Sequence, residues 1–157
     1  MKKDVFIKIK GVQHADGTDD VTELVTQGNF YRRNNNYYVT YDESEATGFG
    51  GSKTTLKVEG GRKVTLMRNG ATRSHLIVES GERNVGQYGT QHGDVLIGVN
   101  AHKVESRLND EGGDLYFSYS LDINTSLISE NEVFISINAH PDVSSMLSLA
   151  EEEKTTV

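Results

Sequence analysis

An antiparallel β-barrel is the fold this sequence predicts, and three observations predict it. Apolar and polar residues alternate through most of the chain, turns rich in glycine and asparagine cut it at short intervals, and no sustained helical period appears before residue 141. A meander of such strands leaves two exposed edges unless it closes, and closure into a barrel removes them. A two-sheet sandwich is the alternative, but tight sequential hairpins favour an up-and-down barrel of about eight to ten strands.

The elements follow in order. Val5, Ile7 and Ile9 alternate with Phe6, Lys8 and Lys10 as a first strand, and the polar HADGTDD at 14–20 reads as a loop. VTELVTQGNFYRR is strand-like, with Gly28 marking a bulge or bend, and NNN at 34–36 turns it into NYYVTYDE. LKVEGGRKVTL sets Gly60-Gly61 between two alternating runs as a two-residue turn suited to positive φ. Asn69-Gly70 marks the next reversal, as a type I′ turn or a slightly longer loop before RSHLIVE. The short segment VGQYGTQHG then leads to the long run DVLIGVNAHKVESRL, NDEGG turns into LYFSYSLDI, and EVFISINAH is the last strand. The inner face runs from Val5, Ile7 and Ile9 on the first strand to Val133, Ile135 and Ile137 on the last. It includes Val39 with Tyr41 and Val64 with Leu66.

One domain accounts for the chain, a barrel over 1–141 with a tail over 142–157. In the tail, DVSSMLSLAEEE spaces Met146, Leu147 and Leu149-Ala150 loosely enough for a short helix. Its EEE opposes the helix macrodipole, which makes a frayed end the competing expectation.

Composition narrows the function classes. The net charge of −7 and pI near 5.2 argue against a nucleic-acid footprint, and RRN at 32–34 reads as a solvated hairpin shoulder. Zero cysteines exclude disulfides, thiolate metal sites and a cysteine nucleophile. No apolar run approaches a membrane span, and MKKDVFIKIKG alternates instead of forming the core of a signal peptide, so the cytoplasm is the expected location.

Chemistry-bearing patterns are sparse. Histidines at 14, 75, 92, 102 and 140 show no metal-ligand spacing, and HADGTDDVTE lacks the glycine and glutamate of a calcium loop. There is no Gly-x-Ser-x-Gly elbow, paired carboxylates at Asp19-Asp20 and Asp42-Glu43 alternate faces, and GFGGSK at 48–53 leads into a strand instead of a helix. Neither an enzyme nor a cofactor or metal is expected.

Glu43 and Arg68 stand out because each falls on the apolar side of its own strand, with Tyr37, Val39 and Tyr41 in one case and Val64 and Leu66 in the other. A charge there needs a partner or solvent. Three readings remain: a structural pair closing one barrel end, an arginine anchor for an anionic ligand oriented by Glu43, or a solvent-facing rim. Tyr88 and Thr90 share a face, with His92 next, and Tyr119 points inward on its strand. Tyr41, Glu43, Arg68, Tyr88, Thr90 and Tyr119 are therefore the candidate ligand-binding residues.

The run YVTYDESEATG, then TTLKVEGGRKVTLMRNG, then YGTQHGDVLIGV, then GDLYFSYSLDI resembles the YwiB-like family of small bacterial proteins. That family is a domain of unknown function with a calycin-type, lipocalin-like barrel. The motifs span roughly residues 5 to 138. The resemblance implies the barrel and brings no activity. Gln91 follows Thr90 where the family pattern has proline, which removes a rigid turn device from that loop.

The expectation is a module that binds an unknown small molecule or protein, its alternative being a scaffold that holds a protein partner on its outer surface without a cavity ligand. The interior discriminates them: a scaffold fills it with side chains, a binder leaves space with convergent polar groups. Phe6, Met67, Leu96 and Phe134 point outward on four strands and motivate a weak homodimer.

Overall fold

The protein is described by a computed structural model over residues 2–44, 50–90 and 92–139. Its ten strands are β1 (Lys3–Ala15), β2 (Thr18–Arg33), β3 (Asn36–Asp42), β4 (Ser52–Glu59), β5 (Lys63–Gly70), β6 (Ser74–Glu79), β7 (Arg83–Thr90), β8 (Gly93–Asn109), β9 (Gly112–Ile123) and β10 (Ser126–Asn138). Each pairs antiparallel with its sequence neighbour, and β1 pairs with β10 as well as β2, so the sheet closes. The expected up-and-down barrel is the observed one.

Turn chemistry explains why the strands run longer than the alternation suggests. HADGTDD is not a loop: β1 and β2 pair up to Ala15↔Thr18, and only Asp16 and Gly17 lie outside, both at positive φ. Asn34-Asn35 and Asn124-Thr125 likewise form two-residue reversals at positive φ, so β10 starts at Ser126, well before EVFISINAH. Gly60 and Gly61 have positive φ as expected, but Glu59 pairs with Lys63, so Arg62 makes the loop three residues long. Gly70 is still paired to Ser52 on β4, and the reversal follows at 71–73.

Gly28 is not a bulge. The register passes through Val5↔Gly28↔Tyr41 unbroken, and the observed shifts lie at Leu127/Ser129 and Ala101/Lys103. Gly28 is a close approach: an added Cβ would lie 2.1 Å from the Thr40 carbonyl oxygen and 2.7 Å from Ile7 Cδ1.

Alternation puts the core where the pattern requires. Val5, Ile7, Val39, Leu56, Val64 and Val99 are buried on the inner face, joined by Phe30 and Ala101, which the pattern left unassigned. Antiparallel geometry sends the 16–17, 71–73 and 124–125 turns to one end, the mouth, and the 34–35, 60–62 and 110–111 turns to the other, the base. At the base, Arg32 Nη1 meets Asp110 Oδ1 at 3.2 Å, the Tyr37 hydroxyl donates to the same oxygen at 3.1 Å, and Lys3 Nζ donates to the Asp110 carbonyl at 2.7 Å. RRN is thus a shoulder tied to the β8–β9 turn. The tail from His140 onward, Gln91, and the 45–49 part of the acidic and glycine-rich stretch lie outside the described residues.

Candidate functional site

The site is built on one row of inward positions. Register places Tyr41 opposite Thr54, Thr54 opposite Arg68, Arg68 opposite Ser74, and Ser74 opposite Tyr88, crossing β3 to β7 at the mouth half of the barrel. Glu43 lies just beyond Tyr41, its backbone N–H donating to the Ser52 carbonyl at 2.8 Å, which keeps its side chain on the inner face.

Glu43 and Arg68 meet there. Arg68 Nη2 lies 3.5 Å from Glu43 Oε1, and their side chains are only 9% and 2% exposed. Thr54, on the strand between them, completes the link: its hydroxyl donates to Glu43 Oε1 at 2.6 Å and accepts from Arg68 Nε at 3.3 Å. The arrangement compensates two charges removed from water by attraction and by a bridging hydroxyl, which is what such burial demands. Thr54 was not among the expected site residues, although it shares parity with Leu56 and Val58. Ser74, which shares parity with Leu76 and Val78, was likewise unassigned, and its hydroxyl accepts the Gly89 N–H at 3.2 Å.

Tyrosines surround the pair. Tyr41 is buried, and burial first, then the negative charge of Glu43, pushes its hydroxyl well above the ordinary range, with Arg68 acting in the opposite sense. Burial among the barrel walls, and then Tyr88, push the Tyr119 hydroxyl up to about 12, again opposed by Arg68. Both groups therefore remain protonated donors across the neutral range. Tyr88 and Tyr119 are partly exposed and packed against the core.

Thr90 stands apart from this cluster. It is exposed at the strand end, where its hydroxyl donates to the Gly93 carbonyl at 2.6 Å and accepts the His92 N–H at 3.2 Å, closing the β7–β8 turn.

Inward side chains do not fill the interior uniformly. Ile9, Leu24, Leu66, Val95, Leu121 and Val133 point inward yet are only partly buried. Gly11, also inward by parity, has nothing within 4 Å of the place a Cβ would occupy. Toward the base, Val5, Ile7, Phe30 and Val39 are no more than 1% exposed. Inward side chains nearer the mouth on β1, β2, β9 and β10 are thus less buried than Val5, Ile7, Phe30 and Val39, while Thr54, Arg68 and Ser74 on the charged wall are buried.

The outer face carries a second polar network. Arg83 grips Asp122 through Nε at 3.2 Å and Nη2 at 2.6 Å, and Asn100 Nδ2 and the Thr125 N–H also donate to the carboxylate. These bonds, that of Arg83 foremost, hold the Asp122 carboxyl below its ordinary range. Gly98 makes room for them, since a Cβ there would lie 2.2 Å from Arg83 Nη2. Among the described residues no group of three or more His, Cys, Asp or Glu is placed to hold a metal ion, and no helix is long and apolar enough to cross a membrane.

Of the outward apolar residues, Leu96 and Phe134 are exposed at 71% and 41%. Met67 and Leu96 share an outer row but are separated in it by His75 and Gln87. Phe134 instead packs its ring against Tyr116 on β9 at 4.8 Å.

Comparison with known proteins agrees with this architecture. The uncharacterised β-barrel protein YwiB of Bacillus subtilis (strain 168) is 27% identical over 119 residues, covering 76% of this chain and 82% of that one. The crystal structure of the ywiB protein from Bacillus subtilis superposes with a TM-score of 0.79 at 24% identity, covering 89% of this chain and 94% of the other, a likeness of fold. The profile of the domain of unknown function DUF1934 matches residues 7–135, nearly the whole barrel, and the chain belongs to that family.

Proposed function

We propose that the barrel is a non-enzymatic binding protein that takes a small molecule with a carboxylate or phosphate group into its mouth. The observation that carries this is the interior: inward apolar side chains, among them Ile9, Leu66, Val95 and Val133, are only partly buried, and Leu66 shares β5 with Arg68 of the charged cluster. A scaffold without a cavity ligand has no use for that space. An arginine fork suits a carboxylate or phosphate, the Tyr88 and Tyr119 rings offer apolar walls, and their hydroxyls supply donors. Lysines and glutamates on the outward face, among them Lys8, Lys10, Glu23 and Lys57, favour a barrel surrounded by water, and a cytoplasmic setting is part of the proposal.

A second reading rests on the Glu43–Thr54–Arg68 link itself. Three mutually satisfied groups form a structural brace, and the cluster then shapes the cavity without touching the ligand.

Thermal unfolding with benzoate as probe tests the proposal. At about a hundredfold excess over its dissociation constant, a ligand stabilises the native state by ~2.7 kcal/mol, or about 5–10 °C for a chain of this size. The wild type should show that rise and the paired Glu43→Gln, Arg68→Met variant should not. Equal rises in both support the brace reading. Absence of a rise in the wild type, with benzoate or with inorganic phosphate, counts against anion binding altogether.

A further inference from the structure

We propose that a groove at the base of the barrel is a second anion site, separate from the mouth, for a small, multiply charged phosphoryl anion such as pyrophosphate. The groove encloses about 270 Å³ between Lys3 on β1, Phe30, Tyr31 and Arg32 on β2, Tyr37 on β3 and Asp110 in the β8–β9 turn. Stacking holds its walls: Phe30 lies on Tyr37 at 5.3 Å and Tyr31 on Tyr38 at 4.9 Å. Rings fixed in this way make a preformed site.

Donors in the groove already converge on one anion, which is the chain's own. Arg32 Nη1 and the Tyr37 hydroxyl both approach Asp110 Oδ1, at 3.2 and 3.1 Å. The Asp110 carboxylate thus stands where an oxygen of a bound anion would sit. It does not balance the charge around it. Lys3 donates to the Asp110 carbonyl and not to a carboxylate, and Lys2 lies over the Tyr31 ring at 5.3 Å. Counting Lys2, three cations border the groove against one lining acid, in a chain whose net charge is −7.

The tether on Asp110 sets the class of ligand. The chain holds that carboxylate beside Arg32 at an effective concentration on the order of millimolar, so a free monocarboxylate gains nothing by replacing it. An anion of higher charge does gain, because it satisfies Arg32 and Tyr37 and also draws on Lys3. The space falls below the roughly 300–1,000 Å³ of sites for drug-sized ligands, which favours a bare phosphoryl group over a whole nucleotide. The Arg32 and Asp110 side chains are 54% and 58% exposed, so the exchange requires no opening of the barrel.

Amide spectra of the labelled full chain, titrated with pyrophosphate, test the proposal. Saturable shifts are expected at Lys3, Arg32, Tyr37 and Asp110, and benzoate should leave these four unmoved. Asp110→Asn removes the competing charge and should tighten pyrophosphate binding about fivefold, the scale of one exposed charge contact. Lys3→Gln and Arg32→Gln should each weaken it by about the same factor. None of the three positions is buried, and circular dichroism checks the fold of each variant. Adenosine diphosphate, which carries the same group on a bulky ester, should bind more weakly, and tighter binding would overturn the size argument. Unchanged affinity in Asp110→Asn, or equal shifts at the base with benzoate, overturns the proposal. Pyrophosphate shifts confined to Thr54, Arg68 and Ser74 overturn it too, while leaving the mouth site standing.

Discussion

At the scale of residues, the Glu43–Thr54–Arg68 link makes a sharp energetic claim. Arg68→Met leaves the Glu43 carboxylate without its cation inside the wall, and Glu43→Gln leaves the guanidinium without its anion. Each single change should cost about 3 kcal/mol, whereas the double variant should recover at least about 1 kcal/mol relative to the sum. Chemical denaturation of all four proteins measures this, and simple additivity would mean that the groups are independent. Parity alone put Glu43 and Arg68 on the inner face. Thr54 escaped notice because a threonine among apolar residues carries no charge to flag it. Glycines sort by the same local reasoning. Gly28→Ala drives a methyl into the Thr40 carbonyl and should lower stability by about 3 kcal/mol, while Gly11→Ala enters open space and should change it by less than about 0.5 kcal/mol.

At the scale of elements, what was legible depended on how turns announce themselves. Asn34-Asn35 and Gly60-Gly61 lie between plainly alternating strands, and their reversals were readable from sequence. Asp16-Gly17 carries the same chemistry, but the flanking His14, Asp19 and Asp20 are polar on both faces. There the chain projects beyond the packed core and alternation has nothing to report. Start residues of β10 were hidden for the same reason, since Glu130 and Asn131 interrupt the apolar series. This projecting β1–β2 tip is tied down by charge: His14 Nδ1 bonds to Asp19, and its Nε2 lies 3.9 Å from Glu132 on β10. The Asp19 hydrogen bond and the negative charges of Asp19, Glu132 and Glu130 raise the His14 pKa above its ordinary value, against a smaller effect of burial. A raised folded-state value means the ion pair stabilises the tip fully below the unfolded value near 6.5 and is lost as pH rises through the folded one. Proton NMR of the imidazole should give a midpoint above 6.5 that falls back toward it in Asp19→Asn. An unchanged midpoint in that variant would remove Asp19 as the cause.

At the scale of the whole molecule, closure is what gives the inner and outer faces separate roles. With β1 paired to β10 the sheet closes, its shortest seam being Ser74↔Tyr88 and His75↔Gln87 between β6 and β7, so association falls mainly to the outer surface or the mouth. On the outside, the most exposed apolar side chains of the neighbouring strands β7 and β8 are Val85 and Leu96, whereas Phe134 packs on Tyr116, and a weak homodimer should depend on the first two. Leu96→Ser should then abolish any concentration dependence of the sedimentation mass. Inside, the same alternation packs the base with large apolar side chains and gives the inner wall nearer the mouth Gly11, Thr54, Ser74 and the charged pair, of which Gly11 faces open space and the others are buried. Sequence showed that inner series but not how far it fills the barrel, which depends on strand stagger and becomes visible only when the sheet is closed. The central claim, an open mouth with an anion-binding wall, is tested most directly by titrating the labelled protein with benzoate and following its two-dimensional amide spectrum. The account predicts saturable shifts concentrated at Thr54, Leu66, Arg68, Ser74, Tyr88 and Tyr119. Shifts confined to the outer face around Tyr116 and Phe134, or none at any concentration, would contradict it.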